Sequence, residues 1–190
     1  MDRAELNKAN SLSYLDPAAV LREFRAHEAE HANLNVSPAI KHLRTNKLKS
    51  LREMREAALF CYGLSCRFGQ EVKFSPVEAS DYDFIATWVS DTYRHICPIQ
   101  LKELVPEKLN PTSSVQELVN NLVKYTSSPD LTVVVHINRN TIFKPSELAI
   151  PNLNIAALWF FSSLSQDQSN WRLIGNFTEV PEISDFAYPT

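Results

Sequence analysis

Cysteine is scarce in this chain of 190 residues, and the three cysteines, Cys61, Cys66 and Cys97, include no pair at CxxC spacing. An odd number of thiols without that spacing argues against a disulfide framework and against a zinc site built on cysteine. Small buried thiols in a reducing cytoplasm fit this pattern better, so we expect a cytoplasmic protein.

Long hydrophobic runs are also missing. No apolar stretch approaches the roughly 18 residues of a membrane span, and the first residues, MDRAELNKANS, have no apolar signal core. The apolar fraction of 44% and the charged fraction of 22% are ordinary for globular proteins. We therefore expect residues 1–190 to form one domain with no membrane partner.

Positive charge is in slight deficit, and the formal net charge of −3 excludes a wholly basic coat for nucleic acid. The charge is nevertheless uneven, because residues 41–55 contain six Lys or Arg residues and one acid, Glu53. Such a stripe can contact phosphates. The alternative is a solvated helix face. The candidates for nucleic-acid contact are Lys47, Lys49, Arg52 and Arg55.

Helix signals dominate the first third of the chain. Asp16-Pro17 combines an N-cap with proline at the first helical position and predicts a helix to about His31. Ser37-Pro38 repeats these signals and predicts a second helical region. The clearest pattern has apolar residues at three- and four-residue steps over 48–68, and Gly69 then predicts the helix end.

Strand signals follow. Residues 70–79 alternate and contain a proline, which favours an edge strand, and two further apolar runs at 81–89 and 93–104 predict a three-stranded meander. A capping box at 114–117 starts another helix, and the continuous run LTVVVHI at 131–137 predicts a buried central strand. His136 in that run is interpreted as a satisfied core histidine.

The C-terminal region gives weaker signals. NIAALWFFSSL is interpreted as a helix packed on the sheet, WRLIGNF as a further strand, and the tail from Pro181 as irregular. The element order predicts an α/β fold with a mixed central β-sheet flanked by helices.

The residues best suited to chemistry lie in the stretch 81–104. Asp83 opens one predicted strand, and Gln100 and Lys102 lie two apart in the next, so their side chains share one face. Adjacent strands would bring a carboxylate, an amide and an ammonium group to one point. That combination suits a divalent metal and a phosphate.

This arrangement resembles the PD-(D/E)xK nuclease superfamily, in a variant with Gln-x-Lys as the third-strand motif. The resemblance covers about residues 47–138 and implies a restriction-endonuclease-like core there. It leaves residues 1–46 as an N-terminal helical extension and residues 139–190 as a C-terminal helix and strand addition.

The resemblance also implies roles for single residues. Asp83 is the principal metal ligand, the Gln100 side-chain oxygen and the Leu101 carbonyl are further ligands, and Lys102 lies beside the attacking water or the scissile phosphate. A helix acid completes the ligand set, with Glu56 preferred over Glu53. The expected cofactor is Mg²⁺ or Mn²⁺, the expected partner is DNA, and duplex cutting by this fold often uses a homodimer. The function implied is a metal-dependent phosphodiesterase or nuclease acting on DNA.

Two alternatives remain. Gln100 stands where many members of the superfamily carry an acid, which fits a catalytically inactive binding or assembly module on the same fold. The string HEAEH at 27–31 resembles a zinc-protease signature and gives a weaker hypothesis, a zinc hydrolase that uses His27, Glu28 and His31.

Overall fold

The computed structural model describes residues 3–30, 43–77, 82–125 and 128–190. The helical region predicted after Ser37-Pro38 lies outside these ranges. The α-helices in the described ranges are α1 (Arg3–Asn10), α2 (Pro17–Glu30), α3 (Lys49–Phe68) and α4 (Val115–Asn120), with short 3₁₀ turns at 46–48, 121–124 and 145–147.

Two helices begin or end where their local chemistry predicts. Asp16 accepts a hydrogen bond from the Ala18 N–H at 2.9 Å, and α2 starts at Pro17. Helix α3 ends at Gly69, which adopts a left-handed φ of 66° and donates its N–H to the Ser65 carbonyl. These predictions are confirmed.

The described residues form a seven-stranded sheet whose spatial order follows the chain. The strands are β1 (Lys73–Pro76), β2 (Phe84–Ser90), β3 (Tyr93–Leu104), β4 (Ser128–Ile137), β5 (Ile155–Ser163), β6 (Asn170–Gly175) and β7 (Glu182–Ala187). Neighbouring strands are antiparallel except for β3, β4 and β5, which are parallel. The mixed sheet, the meander and the central strand β4 are confirmed.

The C-terminal region is where the sequence interpretation was wrong. NIAALWFFSSL is not a helix, because residues 155–163 form strand β5, parallel to β4. Both faces of this strand are covered, so successive large side chains are all buried and no alternation is visible. The tail is not irregular either, since residues 182–187 pair with β6 as strand β7. Only Phe186 is buried in that strand, which leaves no periodic signal.

Each face of the sheet has its own apolar core. Helix α3 covers one face with a buried run from Ala57 to Leu64. Helix α4 and the turn after it cover the other face through Val119 and Leu122. Since side chains alternate along a strand, β3 presents Leu101 and Glu103 towards the α3 side and Gln100 and Lys102 towards the α4 side.

None of the helices in the described ranges is both long enough and apolar enough to cross a membrane.

Candidate functional site

Asp83 directly precedes β2 and lies beside Gln100 of β3, at the end of the β2–β3 pair away from their connecting turn. Its backbone N–H donates to the Ile99 carbonyl at 2.9 Å. Its Oδ2 accepts a hydrogen bond from the Leu101 N–H at 2.7 Å and a short one from Gln100 Nε2. Within the described ranges, Oδ1 has no hydrogen-bond donor. Strand β3 therefore orients the carboxylate through Oδ2.

Gln100 and Lys102 lie on the same face of β3, as their spacing predicts. The Gln100 Oε1 atom accepts a long hydrogen bond of 3.4 Å from the Tyr125 hydroxyl, and the Lys102 ammonium lies 5.8 Å from the centre of the Tyr125 ring. The structure thus brings Asp83, Gln100 and Lys102 to one end of the β2–β3 pair.

Lys102 is half-buried, and burial lowers its pKa below the usual 10.5. The Asp83 carboxylate acts in the opposite direction, and the Lys49 ammonium lowers the pKa further. Lys102 is therefore a partly desolvated cation near a carboxylate and a second cation. A charge in such surroundings interacts with a bound anion more strongly than an exposed lysine does.

A cavity of about 120 Å³ lies between α3 and the ends of β1, β2 and β3. Its lining includes Asp83, Leu101 and Glu53, and Glu53 and Asp83 are its ionisable groups. Glu53 is partly exposed and pairs with Lys49 at 3.3 Å. Of the two helix acids considered from the sequence, Glu53 therefore shares a cavity with Asp83.

Glu56, the preferred helix acid, has a different environment. It is buried, with 5% of its surface exposed, and its Oε1 lies 3.0 Å from His136 Nδ1. His136 is equally buried and stacks on Phe161 with ring centres 4.6 Å apart. The interpretation of His136 as a satisfied core histidine agrees with this contact.

Glu103 joins these two residues to form a second cluster, Glu56–Glu103–His136. Their ligand atoms all lie within 4.8 Å of one another, so the cluster could hold a metal ion. It is the one such group of three or more among the residues that the structure describes.

The cluster also has internal partners. Glu103 accepts two hydrogen bonds from the Arg44 guanidinium and one of 2.7 Å from Asn138. Burial alone would raise the pKa of Glu103, but the hydrogen bonds from Arg44 and Asn138 and the charges of His136 and Arg44 outweigh it, and the net pKa is lowered. Both Glu103 oxygens already accept hydrogen bonds, so a metal at this cluster would compete with Arg44 and Asn138 for the carboxylate.

Glu103 was not singled out from the sequence as a site residue. One signal in the sequence could have found it. Side chains alternate along a strand, so Glu103, next to Lys102, must face the opposite side of the sheet, the side of the helix that carries the candidate Glu56. The pairing of β3 with β4, which places Glu103 opposite His136, depends on contacts distant in sequence. Sequence periodicity does not reveal that register.

The four residues of the basic stripe that were candidates for nucleic-acid contact divide into two pairs. Lys47 and Lys49 are exposed. Arg52 lies 3.8 Å from Glu103, and Arg55 hydrogen bonds to Gln168 at 2.6 Å and lies 3.6 Å from Glu28. The two lysines therefore remain accessible to a ligand, whereas the two arginines are engaged within the fold.

The zinc-protease string lies at the end of α2. His27 is exposed and lies 3.7 Å from Glu30, and Glu28 contacts Arg25 and Arg55. His31 lies outside the described residues. The structure therefore gives no geometry for a His27–His31 pair.

Comparisons with protein-family models, with curated protein sequences and with solved structures find no match to this chain.

Proposed function

We propose that this protein is a metal-dependent phosphodiesterase that cleaves DNA at the Asp83–Gln100–Lys102 site. The observation that carries the proposal is that a carboxylate, an amide and a half-buried ammonium meet at one end of β2 and β3, beside a cavity that Glu53 also lines. The order of helix, three strands, helix and strand over residues 49–137 adds support through the nuclease resemblance.

The available ligand atoms suit a hard cation. Asp83, Glu53, Gln100 and the Leu101 carbonyl are all oxygen donors, which Mg²⁺ and Mn²⁺ prefer over sulfur or nitrogen. When bound, the cation supplies charge neutralisation at the phosphate and a water of lowered pKa. We assign the helix acid to Glu53 because it shares the cavity with Asp83.

Lys102 is the residue that we expect to stabilise the transition state. Its ammonium interacts with the charge of the Asp83 carboxylate and is partly shielded from water, so it stabilises the negative charge that develops on a phosphodiester during hydrolysis. Lys47 and Lys49 at the start of α3 supply nearby positive charge for a polyanionic substrate.

A second candidate function is favoured by the Gln100–Asp83 hydrogen bond. The amide nitrogen, not the oxygen, faces Asp83, so the pair is satisfied without a cation. The same fold would then serve as a non-catalytic module that binds nucleic acid or another partner.

The substitution Gln100→Glu distinguishes these functions. It replaces the neutral amide with a carboxylate and adds a charged oxygen ligand next to Asp83, so we expect Mn²⁺ to bind about tenfold more tightly, or about 1.4 kcal/mol. Without metal, two carboxylates face each other and the melting temperature should fall, with recovery on adding Mg²⁺. The measurements are calorimetric titration with Mn²⁺ and melting with and without Mg²⁺, beside DNA cleavage in Mg²⁺ and in EDTA.

The matched control is Gln70→Glu, which adds the same charge in the turn after α3. The nuclease proposal expects wild-type cleavage that needs Mg²⁺ and stops in EDTA, and it expects Gln70→Glu to behave like wild type. Intact DNA in both Mg²⁺ and Mn²⁺, together with equal metal affinity for all three proteins, would contradict the proposal and favour the binding module.

A further inference from the structure

A second and larger cavity, of about 480 Å³, adjoins Lys102 on the α4 side of the sheet. It lies between β3 and the turn that follows α4. Leu118 and Leu122 provide apolar walls, while Lys102, Lys124 and Asn121 provide polar groups. The proposed catalytic lysine thus lines this cavity.

Two ammonium groups converge on this cavity. Lys102 Nζ lies 5.8 Å and Lys124 Nζ lies 5.2 Å from the centre of the Tyr125 ring. Within the described part of the chain, neither amine lies within 4.0 Å of a carboxylate oxygen. Two cations held by one ring repel each other, and an anion between or beside them would remove that repulsion.

The position of the two lysines indicates which anion fits. Lys102 belongs to the cleavage site, so the phosphate to be cut lies at one end of the cavity. Lys124 contacts the same aromatic ring and lines the same cavity. A polynucleotide carries a second phosphate one nucleotide further along the chain. A mononucleotide ester and inorganic phosphate have no such second phosphate.

We propose that Lys124 and Asn121, which both line this cavity, bind the phosphate adjacent to the one cleaved, which makes a polynucleotide the substrate class. This inference rests on the proposed function for the position of the cut. It assigns a binding role to Lys124, whose side chain is exposed and which the sequence did not distinguish from any surface lysine.

The test uses the trinucleotide d(TpTpT) and two analogues of it. In each analogue one of the two phosphodiesters is an uncharged methylphosphonate, so the analogues are isomers of each other. Binding is measured by calorimetry in EDTA, so that cleavage does not intervene. For the wild-type protein, each isomer is expected to bind about tenfold more weakly than the natural trinucleotide. For Lys124→Ala, the natural trinucleotide should bind about tenfold more weakly than to wild type. Neutralising the linkage at Lys124 should then have no further effect, whereas neutralising the other linkage still weakens binding.

Salt dependence gives an independent readout. Removing one phosphate contact to a single strand should reduce the slope of log K against log salt concentration by about 0.7. The control Lys108→Ala removes an exposed lysine from the loop after β3 and should keep the wild-type slope and the wild-type response to both isomers.

The two proposals fail in different ways. If Lys124→Ala responds to both isomers as the wild type does, or if inorganic phosphate competes as well as the trinucleotide, the adjacent-phosphate site is wrong even when Mg²⁺-dependent cleavage is present. If the binding pattern is as expected but no DNA is cut in Mg²⁺ or Mn²⁺, the nuclease function fails and the polynucleotide-binding site stands.

Discussion

Replacing Lys102 with alanine is expected to slow Mg²⁺-dependent DNA cleavage by about 10²–10³-fold, the usual effect of removing one group that stabilises transition-state charge. The reason is that Lys102 is a half-buried cation whose charge interacts with that of Asp83, and its partial desolvation strengthens its interaction with a phosphate. Single-turnover cleavage of a labelled duplex, with protein in excess, measures the chemical step without product release.

The controls for Lys102 test charge and folding separately. Lys102→Arg keeps the charge but adds a planar group in a half-buried position, so we expect only partial activity. Lys108→Ala should cleave at the wild-type rate. A Lys102→Ala protein that melts like wild type and cleaves within twofold of its rate would exclude Lys102 from the mechanism.

The pH dependence follows from the lowered pKa of Lys102. The amine is an ammonium ion below that pKa and neutral above it. Burial, the largest effect, lowers the pKa below 10.5, so the charge is lost at a lower pH than for an exposed lysine. The alkaline decline in cleavage rate should therefore begin below pH 10.5 in the wild type, and Lys102→Arg should move it to higher pH.

Replacing Glu56 with alanine is expected to reduce the free energy of unfolding by about 1–3 kcal/mol, because the buried His136 ring loses its hydrogen-bond partner. Glu56 and His136 are each 5% exposed, so the carboxylate is lost from a place that bulk water does not reach. Denaturation in urea, with the midpoint and slope fitted separately, measures the loss.

Glu53→Ala is the matched control, three residues earlier on the same helix. Glu53 is partly exposed and pairs with an exposed lysine, so its removal should change the unfolding free energy by less than about 1 kcal/mol. It should nevertheless reduce DNA cleavage, because Glu53 shares the cavity with Asp83. The opposite pattern, in which Glu53→Ala unfolds the protein and Glu56→Ala leaves it as stable as wild type, would reverse the two assignments.

Much of the fold could be predicted because its signals are local. The cap at Asp16, the left-handed Gly69, the alternation in β1 and the apolar runs of β2 and β3 each depend on neighbouring residues alone. Strand β5 could not be recognised, because a strand buried on both faces has the same apolar run as a buried helix. Strand β7 could not be recognised either, because its residues are mostly exposed and show no apolar pattern. It is defined by its pairing with β6.

The candidate site could be predicted in part for the same reason. The shared face of Gln100 and Lys102 follows from strand parity, and the structure places both beside Asp83. The choice between Glu53 and Glu56 depends on the rotation of α3 against the sheet, which places one acid in the cavity and the other against His136. The sequence shows only that Glu53 and Glu56 are neighbours on one helix, and it does not show which of them faces the cavity.

The most direct test of the account is a crystal of the protein soaked in Mn²⁺, with the metal located by its anomalous scattering. The account predicts density beside Asp83 and Gln100, within reach of Glu53. Density only at the Glu56–Glu103–His136 cluster would place the metal centre on the other side of β3 and contradict the assignment of Asp83, Gln100 and Lys102 as the catalytic site.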